Sequence, residues 1–452
     1  MPLIGFYCTT KWTVEALHES MTQEVKSFCI KATLLEPSAY AIDFGSNALV
    51  KIIASGLVPY AELRERIHQR FASHDRRSNA VQADMNDGEK PMTEVAIQGA
   101  GIAGSALALL LARQGYSVTV FERARFLRSG GQAVDVRGAA LKVMEELKLI
   151  EEVRACRTHF RGMSVCDEHD NELERTTERT LSGGRFDSDD IELFRDDLSQ
   201  ILFSASSELV TYVFGDEVVS ARQQSDCVDV ELRNGGERSF DLLVGADGLH
   251  SGVRRLAFGR DEECVHPAGI YAGIYSTSNS IGLDAWQLVF RTPERGIIVY
   301  PDRSNDELRV ALYFTDGGSE PPLQDTVAQK CALKAPFGDV GGRFRTLVAE
   351  LDGADNLYAS EMAQVRMRRW SDGRIVLAGD AAYCPSPLTG QGTSLALVGA
   401  YVLAEEIGRS TGDLAAAAES HERRLRPFVE ANLAIDLRTG KGIDDAKNAI
   451  TI

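Results

Sequence analysis

No run of about 18 uninterrupted apolar residues, the length of a membrane-spanning helix, occurs in this sequence. Its most apolar stretch, Ile102–Ala112, is too short for that. Basic charge is also scarce. Lys and Arg number 49 against 66 Asp and Glu, for a net charge of -17, and such a surface repels nucleic acid and anionic membranes. The 8 cysteines, at 8, 29, 156, 166, 227, 264, 331 and 384, form no C-x-x-C pair, and the 8 histidines show no H-x-x-x-H spacing, so neither a structural metal nor a disulfide framework is expected. Met1–Tyr7 has neither the basic nor the long apolar region of a signal peptide. A reduced, cytoplasmic setting is the expectation. Internal repeats and low-complexity tracts are missing too.

What is present suits large cores: 452 residues, 44% apolar and 25% charged, enough for two to four domains. Residues 1–75 read as helix, strand and more helix, with helical periodicity from Trp12 to Lys26 and a short buried strand at Ile30–Leu35 ending at Pro37. Residues 76–92 are polar with Gly and Pro punctuation, and read as a linker. From Glu94 the pattern is strand (Glu94–Gln98), glycine turn, helix (Ile102–Gln114) and strand (Ser117–Phe121), one βαβ unit of about 30 residues. Short strands follow at Leu209–Phe214, Val218–Arg222, Val228–Leu232 and Leu242–Gly245. Residues 265–315, with runs such as Gly296–Val299 and Leu308–Phe314, predict a mostly antiparallel sheet. Arg374–Ala378 reads as a buried strand, and helical patterns cover Gly392–Ile407 and Asp413–Leu437.

Three constellations carry chemistry. The first is Gly99-Ala100-Gly101-Ile102-Ala103-Gly104 between a strand and a helix. Gly99 permits the tight turn, Gly101 lets backbone approach a pyrophosphate, and Gly104 lets helix and strand pack closely. The helix start then offers free N–H groups to phosphates. Glu122 lies 122 − 104 = 18 residues after the last glycine, where an acid can bond ribose hydroxyls of an unphosphorylated nucleotide, FAD or NAD. The second runs from Asp241 through Asp247-Gly248 to Ser251 and Arg254; alone, Asp-Gly is simply a turn. The third is a buried strand ending at Gly379-Asp380-Ala381-Ala382, then Pro385, Pro387 and Gly390-Gln391-Gly392 opening a helix. It places a carboxylate at the strand end where α/β sheets bind ligands, although a capping Asp would look the same.

In this order the three motifs resemble the class A FAD-dependent monooxygenases, the aromatic hydroxylase-like family. Gly130-Gly131-Gln132-Ala133-Val134-Asp135 makes the tetracycline-inactivating branch the nearer one. The resemblance covers about residues 93–437. It implies an α/β fold: a Rossmann-like FAD-binding domain in two parts (93–262 and 362–437), an inserted mainly antiparallel substrate-binding sheet (263–361), and a tail (438–452). It implies that Gly99, Gly101, Ala103 and Gly104 hold the FAD pyrophosphate, and Glu122 and Arg123 the adenosine end. Arg195 would reach the FAD, Asp247 and Gly248 would serve FAD and NADPH, Gly379 and Asp380 the ribityl chain, and Pro387, Gly390 and Gly392 the flavin edge. The reaction implied uses NADPH (or NADH) as a transient co-substrate and O2, forms a flavin C4a-hydroperoxide, and oxygenates a small aromatic or polyketide-like molecule; a flavin dehydrogenase or reductase without oxygen insertion, and a non-catalytic flavin-binding protein, are the alternatives. The positive end of the 392–407 helix could stabilise charge on the reduced flavin.

Two departures stand out. Tyr383 replaces the histidine usual after Gly-Asp-Ala-Ala in this family, and the short stretch after Leu437 predicts an open cavity wall. Separately, Tyr7-Cys8-Thr9-Thr10-Lys11 and the residues through Pro37 resemble the C-terminal part of short-chain dehydrogenases. Only 6 residues precede Tyr7, whereas a βαβ nucleotide site needs about 30, so residues 1–75 are expected to lack that chemistry. Core packing is the expected role of Trp286, Phe290, Tyr300 and Phe314.

Overall fold

The computed structural model describes residues 93–128, 130–178, 188–315, 325–410, 412–435 and 450. The chain divides into two units, Met1–Lys90 and Pro91–Ile452. All the described residues belong to the second. The expectations for 1–75, the linker and the tail wall lie outside them.

A six-stranded sheet organises the cofactor half. Its order is Ser371–Asp372, Ile375–Leu377, Leu242–Gly245, Glu94–Gln98, Ser117–Glu122, Thr211–Phe214. All pairs are parallel except the two-residue edge strand Ser371–Asp372. The strands are short and β-branched, and buried on both faces, as a parallel sheet requires. From the central strand the chain moves one way to Ser117–Glu122, and later returns to the other side at Leu242–Gly245. The order therefore reverses beside Glu94–Gln98, and the carboxyl ends of these strands lie at a topological switch point, where α/β sheets bind ligands.

The helix Ile102–Arg113 covers this sheet. It is apolar nearly all round because it is sandwiched: Ile102, Leu107, Leu109 and Leu111 are buried, each contributing about 1.5–3 kcal/mol of apolar burial. The helices Arg195–Ser206 and Gly392–Arg409 pack on it. A three-stranded antiparallel sheet (Val218–Gln223, Val228–Leu232, Glu237–Phe240) and a two-stranded ribbon (Ala133–Val136 with Ile191–Phe194) complete this half.

The second layer is a seven-stranded sheet in the order Tyr358–Val365, Val265–Ser278, Glu307–Thr315, Arg295–Pro301, Gln287–Arg291, Met163–Cys166, Glu172–Thr176. Two of its strands thus come from chain preceding residue 262, and Met163–Cys166 pairs in parallel with Gln287–Arg291. One face is a closed core. Tyr271, Tyr275, Leu288, Phe290, Ile297, Val310 and Phe314 pack there against Leu333, Phe337, Phe344 and Leu347 of the helical segments 326–337 and 342–350. Phe290 and Phe314 are core residues, as expected. Tyr300 is also buried, as expected, but on the other face, against Phe160 and Phe194. There Ile270, Ile274, Ile298, Ala311, Tyr313 and Met362 are only half-buried.

Candidate functional site

The three sequence motifs converge at these strand ends, and glycine contacts show how. Gly99 has φ +107, and a Cβ there would lie 2.5 Å from the Ala246 carbonyl oxygen, so the first turn is pressed against the second motif. A Cβ on Gly104 would overlap the Gly99 carbonyl oxygen. Gly379 has φ +61, and its Cβ would come within 2.8 Å of the Ala103 methyl, so the third motif rests on the first helix. These glycines are required by backbone conformation and by protein neighbours.

Gly101 differs. Its φ is -77, open to any residue, and a Cβ there meets nothing within 4 Å. Nothing inside the described protein asks for glycine at this position, so the space beyond it fits a ligand that approaches the backbone. The helix behind it has no capping side chain and no acid in its first turn, which leaves its N–H groups free for an anion. Gly248, at φ +83, likewise has nothing within 4 Å of a Cβ.

Glu122 ends the second strand. Its Oε2 accepts from the Ala100 N–H at 2.9 Å and its Oε1 from the Ala124 N–H at 2.8 Å. The carboxylate is thus held at the lip of the glycine turn while its remaining lone pairs stay available. Arg123 beside it is exposed.

Asp247 accepts from Ser251 Oγ at 2.5 Å, Gly252 N–H at 2.7 Å and Val253 N–H at 3.2 Å. It braces the start of the helix Gly252–Phe258, whose cap is Ser251. Burial raises its pKa, against the pull of these donors. Arg254 was part of this motif but carried no assigned role. It is wholly buried, and its guanidinium donates to Asp261 (2.7 Å), to the Leu249 carbonyl (2.6 Å) and to the Ala381 carbonyl (3.0 Å). It therefore ties the second motif to the third.

Asp380 begins a one-turn helix (Asp380–Tyr383) after the buried strand. Burial raises its pKa, while the Cys384 thiol and the Arg195 charge pull it down. Arg195 starts its own helix directly after the ribbon strand Ile191–Phe194, and its N–H donates to the Gln132 carbonyl at 3.1 Å. Its guanidinium makes no hydrogen bond to a described residue, so a cation and a carboxylate from separate motifs face the same region. Gly392 is adjacent: a Cβ there would be 3.9 Å from Asp380 Oδ1. The helix Gly392–Arg409 also starts without a side-chain cap or a first-turn acid. Before it, Pro387–Thr389 form a short 3-10 turn, Ser386 sits at φ +78 and Gly390 at φ +63. A non-glycine residue in that region costs about 1–2 kcal/mol, and the segment is held by Thr389 Oγ1 donating to the Ser386 carbonyl at 3.0 Å.

Tyr383 does not line this space. Its ring is buried against Trp370 (centroids 4.8 Å apart) and its hydroxyl abuts Gly399. Burial raises the phenol pKa further, so the side chain that stands for the family histidine faces the helix packing instead. Trp370 also contacts His421, which burial holds neutral, with a pKa of about 4.

The uncapped helix starts, the open Gly101, and Arg195 and Asp380 facing one region suit a dinucleotide cofactor, and the comparisons give the family. The FAD binding domain family matches residues 92–425. An uncharacterized protein of Mycobacterium tuberculosis is 43% identical over 341 residues, covering 75% of this chain and 92% of its own. A flavin-dependent monooxygenase from an unknown prokaryotic organism is 34% identical over 341 residues, covering 75% and 88%. The crystal structure of tetracycline destructase Tet(51) superposes with a TM-score of 0.73 at 30% identity, over 80% of this chain and 99% of that one. The chain belongs to the FAD binding domain family as a class A FAD-dependent monooxygenase; it is an oxidoreductase whose cofactor is FAD. Among the described residues, no acid, cysteine or histidine cluster could hold a metal, and no helix is long and apolar enough to cross a membrane.

Proposed function

We propose that this enzyme consumes NADPH and O2 to oxygenate a flat, largely apolar organic molecule of aromatic or polyketide-like type. The observation that carries the substrate class is the half-buried sheet face of Ile270, Ile274, Ile298, Ala311, Tyr313 and Met362. Its opposite face is closed by helical segments. On the open side, Tyr300 receives the Ala133 N–H at 2.8 Å and packs on Phe194, so that face turns toward the ribbon leading to Arg195. An apolar planar molecule gains burial there, and the apolar wall limits water at the reaction centre.

Bound FAD would supply the redox and oxygen-transfer chemistry. Gly99, Gly101, Ala103 and Gly104 would hold its pyrophosphate at the uncapped helix start, with Glu122 and Arg123 at the adenosine end. Gly379, Asp380 and Arg195 would bracket the ribityl chain, and Pro387, Gly390 and Gly392 the flavin edge. The N-terminus of Gly392–Arg409 would place its partial positive charge by the ring. Asp247 and Gly248 would shape the entrance shared with the nicotinamide co-substrate. The division into FAD-binding parts 93–262 and 362–437 is part of the same proposal, with the substrate sheet also drawing Met163–Cys166 and Glu172–Thr176 from the first part and the end of Tyr358–Val365 from the second.

Turnover of a small aromatic panel under 18O2 tests this reading. One labelled oxygen per product is expected; unlabelled oxidised product would instead establish a flavin dehydrogenase.

A further inference from the structure

The ribbon that delivers Arg195 carries an unusual pair. Asp135 and Glu192 stand directly opposite each other on its antiparallel strands, which puts both side chains on one face within about 5.5 Å at Cβ. They are 6% and 8% exposed. Arg137, itself 2% exposed, meets Asp135 at 2.9 Å and Asp190 at 3.7 Å. Thr158 Oγ1 donates to Glu192 Oε1 at 2.8 Å. Arg157 lies close enough to act on Glu192 electrostatically, and Tyr300 faces it from the seven-stranded sheet. Among the described residues, three carboxylates (Asp135, Asp190, Glu192) meet two guanidiniums (Arg137, Arg157). A proton held between the two opposed, buried carboxylates removes the repulsion of ionising both.

We propose that Asp135 and Glu192 hold one proton between them at neutral pH, and that this withholds one negative charge from the region of Arg195 where the reduced cofactor would sit. Glu192 is then a positioning residue for the flavin reaction, acting through Arg195. The coupling rests on the proposed placement of the flavin beside Arg195 and Asp380; the shared proton does not. Burial first, and the Asp135 charge second, push the Glu192 pKa up to about 8, consistent with that shared proton. Glu192 precedes Arg195 by three residues, about 10 Å of strand. For a ligand at a comparable distance from the pair, a unit charge inside a protein changes the balance between its neutral and anionic states by on the order of ten-fold.

Two measurements test it. Infrared spectra of the apoprotein at about pH 7 should show the carbonyl band of a protonated carboxylic acid, absent in Glu192→Gln. The midpoint potential of bound FAD, measured from about pH 6 to about pH 9.5, should fall more steeply above neutrality in the wild type than in Glu192→Gln, whose neutral amide mimics the protonated acid. Thr158→Val, which removes a donor to the ionised form, should move the break to higher pH, and covers the case in which Glu192→Gln fails to fold. A missing acid band overturns the one-proton pair, whatever the flavin does. A band accompanied by parallel potential curves overturns the coupling to Arg195.

Discussion

Gly101→Ala and Gly104→Ala should part company, although both alter one glycine of the same turn. At Gly104 a Cβ overlaps the Gly99 carbonyl oxygen and sits 3.1 Å from its carbon and 3.4 Å from the Ala246 methyl. Backbone on one side and a packed strand end on the other leave no room to yield, so overpacking should cost about 3 kcal/mol of folding stability or more. At Gly101 the backbone is at φ -77 and the Cβ meets nothing within 4 Å. The loss of a glycine cap, below about 1 kcal/mol, is offset by about 0.4–1 kcal/mol of reduced unfolded-chain entropy. The apoprotein should therefore melt near the wild-type temperature. FAD binding should suffer, because a methyl at the pyrophosphate lip lengthens hydrogen bonds worth about 1.5–3 kcal/mol each to a charged group. Losing one weakens binding by about ten- to a hundred-fold. Melting curves of the apoproteins, paired with quenching titrations of flavin fluorescence, read both effects. If Gly101→Ala lowers the apoprotein melting temperature as far as Gly104→Ala does, or binds FAD like the wild type, the assignment of the open space at Gly101 to the cofactor is wrong.

Other perturbations follow from the same geometry. Asp380→Ala should weaken FAD retention by about ten- to a hundred-fold through lost charge-assisted hydrogen bonds, measurable by equilibrium dialysis. Arg254→Met should cost about 1–3 kcal/mol in urea unfolding, because the Ala381 and Leu249 carbonyls lose their donor while Asp261 keeps Arg255. His421 is buried, with a folded pKa of about 4 against 6.5 for the ordinary imidazole. The unfolded chain therefore binds the extra proton as pH falls from about 6.5 to about 4, and stability should drop by about 3 kcal/mol over that window; His421→Phe should flatten that limb of the stability curve.

The local patterns were legible because they are short and strongly constrained. Glu94–Gln98, Val228–Leu232 and Leu242–Gly245 have the bounds that their apolar runs predicted. The glycine turn and the strand-end carboxylate were readable for the same reason. Pairing across long chain separations was not. Nothing in Met163–Cys166 announces a parallel partner at Gln287–Arg291. The opposition of Asp135 to Glu192 depends on ribbon register, although Asp135-Val136-Arg137 and the alternation in Ile191–Phe194 hint at charges on one buried face. The three motif glycines look alike in sequence; only their neighbours separate Gly104, required by packing, from Gly101, left open. Tyr383 occupies the family histidine's position in the chain, yet the small Gly399 opposite it lets the ring turn into the core.

The proposed activity requires a bound flavin that cycles between oxidised and reduced forms. The visible spectrum of the purified full-length protein, followed through anaerobic addition of NADPH and then admission of air, tests this most directly. A yellow protein that NADPH bleaches and air restores is the predicted result; a colourless protein that takes up no FAD, or a bound flavin that NADPH leaves oxidised, would contradict it.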